Sequence, residues 1–159
     1  MFFIRERVGE IIRQLNVHSY INQVEISSWK GREGHFPITD KVEVDTRSWP
    51  VIDPKDLAGK NSAYFAICTE IEIPESMDGM AVELSISTGR EGEWDAANPQ
   101  IAAYVNGILT QGMDVNHREL RFRPAVKKGE IYNLFLLVYT GEAGGIYQWK
   151  SILRAVDEP

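Results

Sequence analysis

The sequence predicts an all-β domain, an antiparallel jelly-roll-like β-sandwich that follows one N-terminal amphipathic helix. From about residue 20 onward, apolar residues alternate with polar ones at a period of two, which is typical of half-buried strands. Turn-forming residues interrupt these runs at regular intervals, and no helical pattern lies between them. Such strands pack as two antiparallel sheets, because the apolar side of each sheet needs a cover.

The length and composition fit a single domain with its own core. The chain has 159 residues, of which 43% are hydrophobic and 25% are charged, as in average globular proteins. We divide it into residues 1–18, a helix expected to pack on the sandwich, and residues 19–159, the β-sandwich. The two parts together form one domain.

The N-terminal segment has the pattern of an amphipathic helix over residues 4–15. Apolar side chains recur at steps of three and four, and charged side chains occupy the opposite face. The apolar positions are Ile4, Val8, Ile11, Ile12 and Leu15. This apolar face needs a partner, so we expect the helix to lie against an edge or an end of the sandwich.

Seven or eight short strands are expected in the rest of the chain. Their apolar positions are Val24 and Ile26, Val42 and Val44, and the runs 64–73, 80–86, 101–105, 119–122 and 132–139. Between the strands, the pair Asn106-Gly107 supplies the two positive φ angles of a type I′ hairpin turn. The last segment, 146–156, fits either a final strand or the start of a helix.

The charge pattern argues against nucleic acid and membranes as partners. Acidic residues exceed basic ones by six, and the longest basic cluster is Lys127-Lys128. We see neither a signal-peptide pattern nor a run of eighteen apolar residues, so the chain is expected in the cytoplasm. The one cysteine, Cys68, lies in an apolar run and predicts a buried thiol in a reducing compartment.

The sequence contains none of the short motifs that carry a known chemistry. It has no phosphate loop, dinucleotide fingerprint, nucleophile elbow or zinc-protease motif. The histidines His18, His35 and His117 are too widely spaced to indicate a metal site. Glu70 and Glu72 share one face of a strand, which is typical of a solvated surface. We therefore predict no catalytic residue, no metal and no cofactor in this chain.

Two groups of side chains are candidates for contact with a carbohydrate or with another domain. The candidate residues are Trp29, Trp94, Asp114, Asn116, His117 and Arg118. The tryptophans can stack on a sugar face, although we favour a role in closing the sandwich end or docking a neighbouring domain. The turn from Asp114 to Arg118 can direct hydrogen bonds at a ligand. Alternatively, Asp114 and Asn116 cap the backbone amides of a structural corner, with His117 and Arg118 pointing outward.

Three segments of the sequence form a distinctive combination. They are Thr88 to Glu93, Tyr104 to Gly107 and Gln111 to Glu119, and Trp49-Pro50 precedes them. Together they resemble the N-terminal domain of family 38 glycoside hydrolases, the α-mannosidases of the bacterial, fungal and cytosolic branch. The resemblance covers about residues 3–157. It implies a helix and a galactose-binding-domain-like jelly roll ahead of a catalytic barrel.

The resemblance also implies that this chain is not catalytic by itself. In family 38 the zinc ion and the aspartate nucleophile belong to the barrel, so zinc is expected only in the parent catalytic domain. The partner is then the catalytic domain of the parent chain, or a second copy in a homo-oligomer, and the parent hydrolyses terminal α-mannosidic linkages. An alternative interpretation is an autonomous carbohydrate-binding module for mannose-containing glycans.

Overall fold

Ten strands in two antiparallel sheets make up the sandwich in the part of the chain that the structure describes. The computed structural model describes residues 4, 6–11, 20–57, 59–92, 98–122, 124–142, 146 and 148–156. The strands are β1 (Tyr20–Glu25), β2 (Trp29–Glu33), β3 (Val51–Ile52), β4 (Tyr64–Glu72), β5 (Ala81–Ser87), β6 (Gln100–Val105), β7 (Ile108–Met113), β8 (Glu119–Arg121), β9 (Ile131–Tyr139) and β10 (Lys150–Val156). Short 3₁₀ helices span Pro54–Leu57 and Glu75–Met77. The all-β sandwich predicted from the sequence is confirmed.

The two sheets connect parts of the chain that are far apart in sequence. One sheet has four strands in the order β1-β10-β5-β8, and the other has six in the order β3-β2-β4-β9-β6-β7. The first and last strands pair directly, with Gln23 opposite Arg154. Residues that are far apart in the sequence therefore become neighbours within each sheet.

The main core fills the space between the sheets. Large side chains from both sheets, such as Leu84 and Leu136, are fully buried there. Trp29, at the start of β2, and Trp149, just before β10, meet edge to face with ring centroids 6.0 Å apart. This pair bridges the two sheets, so these two tryptophans close the sandwich, which is one of the two roles that we favoured from the sequence.

A second apolar layer covers part of the outer face of the six-stranded sheet. Residues 34–50 cross this face without forming a strand. From this segment Phe36 and Trp49 pack against Tyr104 and Phe135 of the sheet. The sheet is therefore apolar on both faces where this segment lies. The strands there do not alternate between apolar and polar residues.

The strand predicted around Val42 and Val44 is wrong. The segment pairs only briefly with the start of β7, the edge strand of the sheet: Lys41 forms an isolated bridge to Ile108, Leu109 N–H donates to the oxygen of Asp40, and Val42 N–H donates to the oxygen of Gly107. Val42 packs into the outer apolar layer, whereas Val44 is exposed. These contacts hold the segment at the edge of the sheet, but they are too few to make it a strand.

Other local predictions are confirmed or resolved. Asn106 and Gly107 have φ angles of 51° and 79°, as the type I′ turn requires. The final segment forms the strand β10 rather than a helix. The strands β2 and β3 have no counterpart among the predicted ones, because Gly31 and the short β3 interrupt the alternating pattern.

The N-terminal helix is confirmed at residues 4 and 6–11. Its apolar side chains Ile4, Val8 and Ile11 are 64%, 48% and 56% exposed, and the packing of the helix on the sandwich stays a prediction. Residues 12–19, with the other apolar positions of the predicted face, lie outside the described residues. Within those described, no helix is both long and apolar enough to cross a membrane. The domain boundaries stay predictions.

Candidate functional site

A groove of about 890 Å³ lies on the outer face of the six-stranded sheet, beside the segment 34–50. It crosses four neighbouring strands, β4, β9, β6 and β7. Two cross-strand rows of side chains form its floor. The groove therefore exists only once these four strands have paired.

The first row consists of Tyr64, Tyr139 and Gln100. Strand pairing places Tyr64 opposite Tyr139 and Tyr139 opposite Gln100. Directly opposed residues point to the same face of a sheet, so all three side chains face the groove. The two tyrosine rings stack with centroids 4.6 Å apart and an interplanar angle of 26°.

The second row consists of Leu137, Ala102 and Gly112. Leu137 lies opposite Ala102, which lies opposite Gly112. Small residues at the last two positions leave a trough between the tyrosines and the apolar wall that Phe36 and Ile38 supply. A Cβ atom added to Gly112 would meet no atom within 4 Å, which shows that the trough is open at this position.

Polar groups stand around the trough. The imidazole of His35 meets the ring of Tyr64 edge to face, with centroids 4.7 Å apart. The amide of Gln100 is exposed, and Asp114 lies where β7 ends. Donors and acceptors are thus available beside an aromatic and apolar surface.

The turn that follows Asp114 is the structural corner that we expected as one of two interpretations. The Oδ1 atom of Asp114 accepts hydrogen bonds from the backbone N–H groups of Asn116 and His117, at 2.7 and 2.8 Å. The Nδ1 atom of His117 lies 3.0 Å from the same oxygen. Burial alone raises the pKa of Asp114, but these hydrogen bonds outweigh it and hold the pKa below its usual value.

The remaining predicted residues of this corner differ in their contacts and exposure; they are Asn116, His117 and Arg118. Asn116 enters the corner through its backbone N–H, and the side chain of His117 is 74% exposed, so His117 points outward as expected. Arg118 is half-buried instead, and its Nη1 atom lies 3.5 Å from Ser87 Oγ. Arg118 therefore also contacts its own domain.

Trp29 requires a correction as a contact residue for a sugar or another domain. Its side chain is fully buried, and its Nε1 atom donates a hydrogen bond to the backbone oxygen of Ile26 at 3.1 Å. The ring is needed to fill the space between the sheets and has no free face. Trp94 lies outside the described residues.

The buried acid Glu83 lies on the outer face of the four-stranded sheet. Arg154 donates from Nε to Glu83 at 2.8 Å and from Nη2 to Glu119 at 3.2 Å. Arg121 Nε lies 3.8 Å from Glu83, and the ring of Tyr20 covers the guanidinium of Arg154 at 3.7 Å. The carboxylates of Glu83 and Glu119 both bind Arg154. The cluster is therefore a network of charged side chains, covered by the ring of Tyr20, that joins strands β1, β10, β5 and β8.

The strand acids Glu70 and Glu72 and the thiol of Cys68 have the roles expected from the sequence. Glu70 and Glu72 are exposed on β4. Cys68 is buried, and burial raises the pKa of its thiol. Among the described residues, no group of three or more His, Cys, Asp or Glu side chains could hold a metal ion.

The groove residues Tyr64, Tyr139, Gln100 and His35 were not identified as a site from the sequence. They are separated by up to about a hundred positions and meet only through the pairing of β4, β9 and β6. The local signal was a tyrosine at one terminus of each nine-residue strand, since Tyr64 begins β4 and Tyr139 ends β9. An exposed aromatic residue at such a position is a reason to suspect a binding surface.

Comparisons with known proteins show similarity at the level of the fold. No family model and no curated protein matches the chain. A family 2 glycosyl hydrolase from Bacteroides cellulosilyticus matches with a TM-score of 0.56 and 16% identity, over 85% of this chain and 21% of that one. A β-glucuronidase from Faecalibacterium prausnitzii matches with a TM-score of 0.55 and 11% identity, over 86% and 32%.

A β-glucuronidase from Bacteroides uniformis matches in the same way, with a TM-score of 0.52, 15% identity, and 84% and 18% coverage. The chain thus spans about a fifth to a third of the length of these structures. The comparisons give no support to the resemblance to family 38. At these identities the likeness shows a shared β-sandwich fold.

Proposed function

We propose that this chain is a non-catalytic β-sandwich domain of a longer glycoside hydrolase, and that it stabilises the catalytic domain of that enzyme. The observation that carries the proposal is the coverage of the fold matches. They take in 85% and 86% of this chain but only 21% and 32% of two glycoside hydrolases. A unit of this kind occurs within such enzymes as one part of a larger chain.

The environments of three acidic side chains support a non-catalytic role. Glycoside hydrolysis with retention or inversion uses two carboxyl groups that flank the bond to be cleaved. Glu83 and Glu119 are both bound to Arg154, and Asp114 is bound to the amides of its corner. These carboxylates stabilise the fold rather than facing a common pocket.

The substrate class of the parent enzyme is a further part of the proposal. The resemblance of the sequence favours terminal α-mannosides, with zinc bound in the catalytic domain. The names of the structural neighbours make β-glucuronides the competing class. A cytoplasmic location and a homo-oligomeric parent also stay proposals.

Activity assays on two proteins test this function. The first is the 159-residue chain, and the second is the product of the complete reading frame that contains it. We expect the first to leave aryl α-mannosides and aryl β-glucuronides intact, and the second to hydrolyse one of them. Turnover by the 159-residue chain itself, or a reading frame that encodes no catalytic domain, would overturn the proposal.

A deletion tests the stabilising role. If the domain supports its catalytic neighbour, an enzyme that lacks residues 1–156 melts at a lower temperature than the complete enzyme. An unchanged melting temperature of the catalytic domain would argue for an independent module.

A second candidate function is that of a carbohydrate-binding module. The groove on the six-stranded sheet is the observation that favours it.

A further inference from the structure

We infer that the groove on the outer face of the six-stranded sheet binds a neutral oligosaccharide. The inference rests on the second candidate function proposed above, a carbohydrate-binding module, and deepens it by naming the site and the class of ligand. It is separate from the stabilising role. Either can hold without the other, because binding is measured on this chain alone and the stabilising role on the longer enzyme.

The dimensions of the groove fit a small ligand. Its volume of about 890 Å³ falls within the range of roughly 300–1,000 Å³ that is common for ligand sites. The floor is formed by paired strands, so the site is present before a ligand arrives. A rigid floor reduces the entropy lost on binding.

The chemistry of the groove matches the two kinds of surface that a sugar presents. A pyranose has apolar C–H faces and a rim of hydroxyl groups. Tyr64 is 42% exposed and is stacked on Tyr139, so aromatic surface is available for the apolar face. Gln100 offers both a donor and an acceptor, and His35 and Asp114 add further polar groups at the rim.

The charges at the groove favour a neutral sugar over an acidic one. No lysine or arginine is among the described residues that line it, whereas the acidic residue Asp114 is. The pKa of Asp114 lies below its usual value, so this group is negative at neutral pH. An acidic sugar or a phosphate would meet this charge without a cation to pair with.

The polar groups also favour a sugar over a protein surface as the occupant. A stable protein interface is apolar at its centre, with polar groups at the rim. Here Gln100 lies in the same row as the two tyrosines, beside the trough itself. If the groove instead docks the catalytic domain, sugars will give no saturable response.

Titration of the ¹⁵N-labelled chain followed by amide chemical shifts tests the inference. The probes are mannotriose, cellotriose and xylotriose, with trigalacturonate as the acidic counterpart. We expect saturable shifts at Gln100, Ala102 and Gly112 for at least one neutral probe, with Kd in the millimolar range or tighter. Absence of saturation with all three up to about 10 mM, or shifts confined to other surfaces, would overturn it. Equal affinity for trigalacturonate would contradict the charge argument.

Two variants locate the site. Gly112→Val fills the trough, and its Cβ meets no neighbour, so the fold is retained while affinity falls at least about tenfold. Gln100→Ala removes the amide beside the trough and weakens binding as well. The matched control is Gln23→Ala. Gln23 is an exposed glutamine on the four-stranded sheet, so we expect this substitution to leave the affinity unchanged. Wild-type affinity in Gly112→Val, with an unchanged melting temperature, would disprove the assignment.

Discussion

At the scale of single residues, Asp114 holds the turn between β7 and β8 through several hydrogen bonds on one carboxylate. We expect Asp114→Ala to lower the free energy of unfolding by about 1–2 kcal/mol, because two backbone N–H groups lose their acceptor. Urea unfolding at pH 7 measures this change. Asp114→Asn keeps one acceptor oxygen and is expected to lose less. An unchanged midpoint in Asp114→Ala would argue against the corner.

The lowered pKa of Asp114 gives a prediction about pH. A carboxyl group with a depressed pKa in the folded state contributes stability above its unfolded value, here 3.8. That contribution is lost as the pH falls through the folded pKa. The stability difference between wild type and Asp114→Asn should therefore be constant above the unfolded value and shrink below it. A difference that stays the same down to about pH 2 would contradict the assignment.

The buried ion pair of Glu83 and Arg154 should contribute more to the free energy of unfolding than an exposed ion pair does. The side chain of Glu83 is 5% exposed, and Glu83→Gln leaves a half-compensated arginine, which costs roughly 3 kcal/mol. The matched control is Asp45→Asn, because Asp45 and Arg47 form an exposed ion pair. We expect no measurable change there. Equal effects of the two substitutions on the unfolding midpoint would contradict the burial argument.

At the scale of secondary structure elements, β2 lies so close to its neighbours that only glycine fits at Gly31. A Cβ there would lie 2.7 Å from side-chain atoms of Ile52 and Ile67 and 2.9 Å from the backbone oxygen of Ala66. We expect Gly31→Ala to destabilise the domain by about 1–3 kcal/mol. Gly112→Ala on β7 is the control and should be nearly neutral, since its Cβ has open space. Thermal unfolding of the two variants measures the difference, and equal midpoints would refute it.

At the scale of the whole molecule, the six-stranded sheet carries two apolar layers of unequal depth. Leu136 faces the closed core between the sheets, whereas Leu109 lies at the partly open outer layer beside the groove. We expect Leu136→Ala to cost about 3 kcal/mol and Leu109→Ala clearly less, because the outer site is already in contact with water. Chemical denaturation compares them. A larger loss for Leu109→Ala would show that the outer layer is the main core.

The sequence by itself determined those features that depend on neighbouring residues. The period of two marked β4, β5, β6 and β9, and Asn106-Gly107 marked the hairpin because this pair tolerates positive φ angles. The apolar surroundings of Cys68 predicted its burial, and the side chain of Asp114 predicted a capped corner. Each of these follows from local conformational preference or from the alternation of side chains along one strand.

Only the tertiary structure decided which strands are neighbours and which faces are covered. The segment around Val42 alternates like a strand but pairs only briefly with the edge strand β7, and Trp29 beside a loop fills the core. The groove requires Tyr64, Tyr139 and Gln100 in one row, and their pairing is set by the burial of both sheets together. Contacts between distant strands depend on the packing of the entire chain, so no local pattern encodes them.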